Sequence, residues 1–473
     1  MKFRYLLLTL MVPALFACKP GPETPDGPSG DEPVAAEIIA SDVTVEEGQS
    51  VKIEATTNST APITYVCADP ELATVSDEGL VTGIRSGRSY ITLSVEEVEG
   101  KFTAAQKNIE LTVTAAPAPE IKSGDTVVST NADVEKFLTD IHYETHDYTS
   151  SSLRTWASEN GVSVCPGNSD RPQEYTLRWT ADPSATNIVA TVSEPTRDWT
   201  YTPNAEDNFV TITNLLPGTH YTYKVTADGG KTLTEGEFDV TGKLHQLYFR
   251  TRIRNARDLG GWKTTDGKTV KYRMVYRGGR LEPSYFSKVG KAAIQTEGIK
   301  AQLDLRGHTS SGSQEYMNRE DSPLYSIWGD EFAFCAPSIE EGYAQMLNDD
   351  KEKTRQCMQF IFDCVDANKP VYFHCSLGRD RTGTVAMLTL GILGVPEGDI
   401  SQEYEITQFA PNGYATSTGE QTKMTRMVDY RGAANVIWSY AGNGSFQDGM
   451  NAYLLEIGIS QADIDKFKAN MLD

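Results

Sequence analysis

A cysteine, an arginine and a threonine lie close together in one short stretch of the chain. The stretch PVYFHCSLGRDRTGTVAML places Arg381 six positions after Cys375, and Thr382 follows directly. A cysteine thiolate is a strong nucleophile, and a guanidinium can bind two oxygens of a phosphoryl group at once. These residue types at this spacing predict attack of sulfur on a bound phosphate ester, chemistry that requires no metal and no cofactor.

The residues around Cys375 predict the elements that would position it. PVYFHC is typical of a buried strand, and the apolar run that begins at Thr382-Gly383 is typical of a helix. Gly378 allows the connecting loop to coil tightly, so that its backbone N–H groups turn toward one point at the helix N-terminus. Such a point attracts an anion and lowers the pKa of a cysteine beside it. The expected phosphate-binding loop consists of Ser376, Leu377, Gly378, Arg379, Asp380 and Arg381.

Strands alternate with amphipathic helices in the C-terminal half, from about Leu244 onward. KAQLDLRG and PVYFHC predict buried strands, whereas MQFIFDCVDA and TGTVAMLTLGILG predict helices. This alternation favours an α/β domain over residues 244–473 with a mostly parallel central sheet. Its chemistry is expected at the C-terminal ends of the strands.

The middle and N-terminal parts of the chain carry a different pattern, with short runs of period two separated by turn residues. This pattern predicts two all-β sandwich modules, over residues 36–116 and 120–243. The order of residues 120–170 stays open, apart from one helix expected in DVEKFLTDIHY. Neither module carries a catalytic cluster, so each is interpreted as a spacer or as a contact to a surface or a glycan.

The first residues are typical of an export signal. Residues 1–18 combine Lys2 and Arg4 with a short apolar run that ends at Cys18, and residues 19–35 form a Pro/Gly-rich acidic tether. The sequence before Cys18 resembles a lipoprotein box, which implies lipidation of that cysteine and a membrane-anchored, exported protein. A plain cleavable signal is the alternative.

Charge and cysteine content exclude several classes of function. The net charge is −22 over 473 residues, so nucleic acid is not expected as a partner, and a phosphate site must be a local basic pocket. The spacing of the 7 cysteines predicts neither a disulfide framework nor a zinc site.

The HCSLGRDRTG loop strongly resembles the signature of cysteine-dependent protein tyrosine phosphatases. It is most similar to a bacterial branch with Gly-Lys-Asp-Arg-Thr-Gly, which includes phosphoinositide phosphatases, although Arg379 replaces the lysine. Further matches to this branch, all in the last 230 or so residues, are NARDLGG, VYRGGRL, LDLRG and ISQEYEIT. In the β modules, ATVSDEGLVTGIRSGRSYITLSV resembles bacterial Ig-like domains of group 2. Leu215, Pro217 and Tyr221 resemble a corner of fibronectin type III domains.

The resemblance implies roles for the residues of the loop. Cys375 would attack phosphorus, Arg381 would bind the phosphoryl group, and Thr382 would support departure of the thiolate. His374 would orient the loop backbone, although a core histidine is an equal interpretation. Arg257 and Asp258, in NARDLGG, would line or brace the pocket, or would form a buried ion pair that fixes this segment.

Two residues are candidates for the general acid that protonates the leaving group. Asp380 is the acid favoured in the bacterial branch, but it could instead only pair with Arg379 or cap the helix. Asp330, in Ile327-Trp328-Gly329-Asp330, superficially resembles the Trp-Pro-Asp loop of other tyrosine phosphatases, although the proline is absent. The sequence leaves both open.

Three functions compete at this stage. The first is an exported phosphomonoesterase that acts on phosphotyrosine-type esters of phosphorylated proteins. The second is a phosphoinositide or inositol phosphate phosphatase, because extra basic charge at Arg379 suits a polyphosphorylated ring. The third is a surface binding protein with a vestigial phosphatase domain, against which the intact Cys375, Arg381 and Thr382 argue.

Overall fold

The structure is a computed structural model. The residues that it describes form two compact units. The described residues are 33–70, 72–114, 116–140, 150–164, 167–203, 207–249, 253–281, 293–294, 296–306, 333–335, 339, 342–411 and 419–473. One unit extends to Val113, and the other extends from Thr114 to Asp473. The expected boundary at residues 243/244 therefore lies inside the second unit.

The first unit is built from short antiparallel strands. Its sheets have the orders β2-β9-β8-β5, β3-β7-β6 and β1-β4. In β8, alternate residues (Ile91, Leu93 and Val95) are almost fully buried, as period-two patterning predicts for a strand with one face on the core. The strands are β1 (Ile38–Ala40), β2 (Val43–Glu46), β3 (Ser50–Lys52), β4 (Ala55–Thr57), β5 (Thr64–Cys67), β6 (Ala73–Val75), β7 (Leu80–Gly83), β8 (Gly87–Val95) and β9 (Ala105–Thr114).

The second unit begins with a β region. Its larger sheet has the order β10-β16-β15-β12-β13, and β11 pairs with β14. Tyr221 is buried, and its hydroxyl accepts a hydrogen bond from the backbone N–H of Leu216 at 2.9 Å, which closes the corner before β15. The strands are β10 (Asp125–Val128), β11 (Tyr175–Arg178), β12 (Val189–Glu194), β13 (Arg197–Tyr201), β14 (Phe209–Ile212), β15 (His220–Ala227) and β16 (Lys231–Thr241).

The rest of the second unit is an α/β region around a sheet of order β17-β18-β21-β19-β20. Among the described strands, β18, β21, β19 and β20 pair in parallel, and β17 is antiparallel to β18. All four residues of β21 are buried, which is typical of a parallel strand covered on both faces. The strands are β17 (Arg257–Asp258), β18 (Val275–Gly278), β19 (Ala301–Asp304), β20 (Ala333–Cys335) and β21 (Val371–His374).

Helices cover this sheet, and one of them is central. From Thr382 to Leu393, every residue of α5 is buried, and Gly394 ends the helix in the left-handed conformation that favours glycine. No described helix is long and apolar enough to cross a bilayer. The helices are α1 (Ala132–Thr139), α2 (Ser150–Asn160), α3 (Tyr343–Asp349), α4 (Lys351–Asp366), α5 (Asp380–Leu393), α6 (Glu397–Glu405), α7 (Gly419–Ala441), α8 (Phe446–Glu456) and α9 (Gln461–Met471).

The segment that the sequence left unorganised packs on the α/β region. The ring of Phe409 lies 5.2 Å from that of Phe137 in α1 and 6.1 Å from that of Trp156 in α2. Both helices share one hydrophobic core with β21 and α5. The helices α1 and α2, which lie between β10 and β11 in the chain, therefore contribute to the core beneath β21 and α5.

Candidate active site

The loop between β21 and α5 lies at the C-terminal end of the parallel strand. Gly378 has a φ of +69°, a conformation that side chains rarely adopt. A Cβ atom at this position would also collide with the backbone of Gly278 at the end of β18. Both facts explain why the loop requires glycine at position 378. Because the loop backbone passes close to Gly278, the ends of β18 and β21 lie side by side next to Cys375.

Cys375 is buried in this loop, with 3% of its surface exposed. Burial by itself raises the pKa of a thiol, because it disfavours the thiolate. The positive charge of Arg381 and the neighbouring hydroxyl and backbone N–H of Thr382 act in the opposite direction. Their combined effect outweighs burial and the nearby charge of Asp380, so the pKa of Cys375 is lowered.

Arg381 and His374 are both held by backbone carbonyl groups. The Nη1 atom of Arg381 donates to the carbonyl oxygen of Ile339 at 2.8 Å, and the side chain is only half-buried. His374 is fully buried, and its Nδ1 lies 3.0 Å from the carbonyl oxygen of Cys375. Its Nε2 lies 2.6 Å from Nε2 of Gln302. The histidine thus contacts the loop backbone at Cys375 and is also a buried core residue with hydrogen-bond partners, so the structure is compatible with both interpretations.

Two side chains that were not among the predicted site residues donate hydrogen bonds to the backbone of the loop. Asn255 Nδ2 donates to the carbonyl oxygen of Gly378 at 2.9 Å, and Arg277 Nη2 donates to the same oxygen at 2.7 Å. Both lie in motifs that resemble the phosphatase branch, NARDLGG and VYRGGRL. These motifs are the sequence signal that could have identified Asn255 and Arg277 as site residues. Their role depends on contacts between residues that are more than 100 positions apart in the chain, and a sequence motif does not show such contacts.

Arg257 belongs to a buried charge cluster with Arg277 and Glu403. The carboxylate of Glu403 accepts from Arg257 Nε and from Arg277 Nη1, each at 2.6 Å. Burial and the charge of Arg277 lower the pKa of Arg257 to about 10. Arg257 is almost fully buried, so it supports the loop from inside the fold.

Asp258 is buried as well, and its ion pair is with His245, whereas Arg257, its partner in one of the two alternatives, pairs with Glu403. Asp258 accepts from the backbone N–H groups of Gly260 and Arg273, and its Oδ2 lies 3.3 Å from Nδ1 of His245. The two residues are neighbours in an extended strand, where successive side chains point to opposite faces.

Asp380, the first residue of α5, accepts two hydrogen bonds on one oxygen. Tyr343 donates its hydroxyl to Oδ1 at 2.6 Å, and Arg379 Nε donates to the same atom at 2.9 Å. Arg379 is buried against this carboxylate, which raises the pKa of its guanidinium despite burial. Asp380 itself is partly exposed, with 28% of its side-chain surface accessible. The other candidate acid, Asp330, lies outside the described residues, as does Cys18.

A residue upstream of the α/β region also supports the loop. The buried Asp170 accepts from the backbone N–H of Asn255 at 2.9 Å, and Asn255 in turn binds Gly378. Ser169 N–H donates to the carbonyl oxygen of Phe409 at 2.9 Å.

Among the residues that the structure describes, no group of histidine, cysteine and acidic side chains could hold a metal ion.

Comparison with known proteins agrees with this geometry. The family described as "Tyrosine phosphatase family" matches residues 250–473, and "Bacterial Ig-like domain (group 2)" matches residues 35–105. A Cupriavidus necator protein named as a tyrosine-protein phosphatase is 31% identical over 206 residues, which are 39% of this chain and 69% of the relative. The chain belongs to the tyrosine phosphatase family. This phosphatase is therefore a hydrolase of phosphate esters, and the expected Ig-like domain is confirmed.

One further relative and two solved structures match parts of this chain. A Nostoc commune tyrosine-protein phosphatase is 27% identical, over 38% of this chain and 68% of the relative. The core catalytic domain of the PP-IP phosphatase SIW14 from S. cerevisiae is 17% identical, with a TM-score of 0.22, over 31% of this chain and 77% of that domain. P. aeruginosa TpbA is 12% identical, with a TM-score of 0.22, over 35% of this chain and 88% of TpbA.

Proposed function

We propose that this phosphatase hydrolyses phosphomonoesters through a phosphocysteine intermediate. The observation that supports this most strongly is the buried Cys375, whose pKa is lowered by Arg381 and by both hydrogen-bond donors of Thr382. The Cys375 thiolate attacks phosphorus while the bond from phosphorus to the leaving oxygen breaks. The guanidinium of Arg381 and the loop N–H groups stabilise the charge on the phosphoryl oxygens.

In the second step, water attacks the phosphorus of the phosphocysteine. The S–P bond breaks, inorganic phosphate forms, and the thiolate of Cys375 is regenerated. The neighbouring Thr382 hydroxyl stabilises this thiolate, because a group that lowers the pKa of Cys375 also makes its sulfur a better leaving group.

Asp380 is the proposed acid of the first step and base of the second. It donates a proton to the leaving oxygen, and afterwards its carboxylate accepts a proton from the attacking water. Its place at the start of α5 and its partial exposure support this role.

Phosphotyrosine-type esters are the proposed substrates. The inositol phosphate alternative relied on free positive charge at Arg379, whereas this guanidinium is buried and paired with Asp380. Its charge is therefore largely compensated by the neighbouring carboxylate, and Arg381 remains the half-buried cation beside Cys375.

We further propose that the protein is exported and lipid-anchored through Cys18, with residues 19–35 as a tether. The Ig-like domain and the β region from 120 to 243 would then hold the catalytic region away from the membrane, or contact a surface or a glycan. The closed corner at Tyr221 supports the fibronectin type III resemblance of the latter.

The test of the proposed function compares substrates and an Asp380 variant in the presence of a chelator. We expect the full chain to hydrolyse phosphotyrosine peptides faster than inositol phosphates, and vanadate to inhibit. Asp380→Asn should lower the rate on phosphotyrosine by about 100-fold or more, and the rate on an activated aryl phosphate far less, because a good leaving group hardly needs a proton. Asp330→Asn is the matched control and should change either rate only a few-fold. Leaving-group dependence at Asp330 alone would move the acid to that residue.

A further inference from the structure

Tyr343 has a backbone conformation that is unusual for an aromatic residue. Its φ is +58°, in the left-handed region, where a bulky side chain is strained. Its backbone N–H donates to the hydroxyl of Thr384 at 2.8 Å, and its side chain is 95% buried. A Cβ atom on the preceding Gly342 would lie only 2.9 Å from the backbone of Asp380 and Arg381, so this segment presses on the first turn of α5. The packing therefore holds Tyr343 in place despite the strain.

The hydroxyl of Tyr343 joins two groups. It lies 2.6 Å from Asp380 Oδ1 and 2.5 Å from the hydroxyl of Tyr404 in α6. A carboxylate can only accept, so Tyr343 donates its single proton to Asp380 and must accept the proton of Tyr404. Burial raises the pKa of both phenols, so both keep their protons at neutral pH. The result is one directed chain from Tyr404 through Tyr343 to Asp380.

Tyr404 is itself firmly placed. Its ring stacks on that of Tyr430 with centroids 4.0 Å apart and an angle of 6° between the planes. Its ring also lies edge-on to that of Tyr343, with centroids 6.1 Å apart. The chain of hydroxyl groups thus ends on a side chain that is fixed by packing in the core.

We propose that Tyr343 is a positioning residue, which orients the carboxyl group of Asp380 for proton transfer. This inference rests on the proposed function. Tyr343 and Arg379 donate to the same oxygen from different elements, and together they fix the plane of the carboxyl group. Once the proton has passed to the leaving oxygen, the same two donors stabilise the carboxylate that accepts a proton from water in the second step.

Within the described part of the chain, charged and titratable groups from three elements lie around Asp380. Arg379 and Cys375 belong to the catalytic loop, Tyr343 to α3 and Tyr404 to α6. Of these four residues, Tyr343 is the one whose contact with Asp380 can be removed by deleting a single neutral hydroxyl, because Arg379 and Cys375 carry charge and Tyr404 acts through Tyr343. Tyr343→Phe is therefore the selective perturbation.

The test measures the pH dependence of hydrolysis by the full chain for Tyr343→Phe, with Tyr440→Phe as the matched control. Tyr440 is a hydroxyl partner of Lys351 and Glu456 on another face, so its variant should behave as wild type. For Tyr343→Phe, the kcat on a phosphotyrosine peptide should fall about tenfold, the loss expected for one hydrogen bond to a charged group. KM and tungstate affinity should stay unchanged. The basic limb of the pH profile should move up by about one unit, because the carboxylate has lost a donor.

The outcomes separate this inference from the proposed function. Suppose that the rate loss in Asp380→Asn depends on the leaving group, whereas Tyr343→Phe changes neither kcat nor the basic limb of the pH profile. This result would overturn the inference and leave the proposed function intact. Asp380→Asn without any leaving-group dependence would overturn both. Reduced tungstate affinity in Tyr343→Phe would also overturn the inference, since it would show that Tyr343 supports the loop and not the carboxyl group. An intermediate shift in Tyr404→Phe, which keeps the bond from Tyr343 to Asp380, would further support the directed chain.

Discussion

Replacement of Glu403 by glutamine tests whether the buried charge cluster supports the catalytic loop. Glu403 is 1% exposed, and its two oxygens accept from Arg257 and Arg277 at 2.6 Å each. Arg277 also donates to the carbonyl oxygen of Gly378 in the loop. The substitution keeps the size of the side chain and removes its negative charge, so the two guanidinium groups face each other without a carboxylate between them.

The expected loss of stability is large. Removal of one partner from a buried ion pair costs about 3–5 kcal/mol, because a charge remains buried and uncompensated. Burial and the charge of Arg277 already lower the pKa of Arg257 to about 10, and repulsion between the two guanidinium groups adds to the cost once the carboxylate is removed. At about 2 °C per kcal/mol for a unit of this size, Tm should fall by about 6–10 °C.

The assay is thermal unfolding of the full chain, combined with tungstate binding at a temperature where both proteins are folded. Glu456→Gln is the matched control, because Glu456 makes an exposed ion pair with Lys351 at 2.5 Å, and such pairs contribute little. We expect no measurable change in its Tm. We expect Glu403→Gln to bind tungstate more weakly as well, since Arg277 loses the group that orients it. A Tm for Glu403→Gln equal to that of wild type would refute the reasoning.

Three further predictions concern other parts of the protein. Thr382→Val should raise the pKa of Cys375, so the rate on an activated aryl phosphate should fall at low pH and recover as pH rises past the new pKa. Asp170→Ala should weaken tungstate binding about tenfold, because Asn255 loses a buried charged acceptor, whereas Asp170→Asn, which keeps an oxygen there, should lose less. An unchanged affinity in Asp170→Ala would show that the upstream segment does not support the loop. Cys18→Ala should leave the exported protein soluble, and membrane association that persists in fractionation would reveal another anchor.

The local parts of the site were predictable from sequence because they depend on neighbouring residues. An apolar run, a glycine and a second apolar run predict β21, the loop and α5, and the structure has these elements at these positions. The period-two pattern of β8 and the helical pattern of α4 similarly predict their elements. Each of these patterns reflects which residues within one continuous segment are buried.

The supports of the loop could not be predicted in the same way. Asn255 and Arg277 meet at Gly378, and Glu403 binds Arg277, only after distant segments pack together. No pattern within one segment encodes such contacts. The left-handed conformation of Tyr343 is imposed by Thr384 and by the packing of Gly342 on α5. The helices α1 and α2 bury Phe137 and Trp156 against Phe409, a contact that no pattern within residues 120–170 shows.

The most direct test of the account is to trap the covalent intermediate. The full chain would be mixed with saturating activated aryl phosphate, quenched with acid within the first turnovers, digested and analysed by mass spectrometry. We predict a phosphoryl group on the peptide that contains Cys375, present in the wild-type protein without metal and absent in Cys375→Ser. Steady turnover without this adduct, or with the phosphoryl group on another residue, would contradict the proposed mechanism.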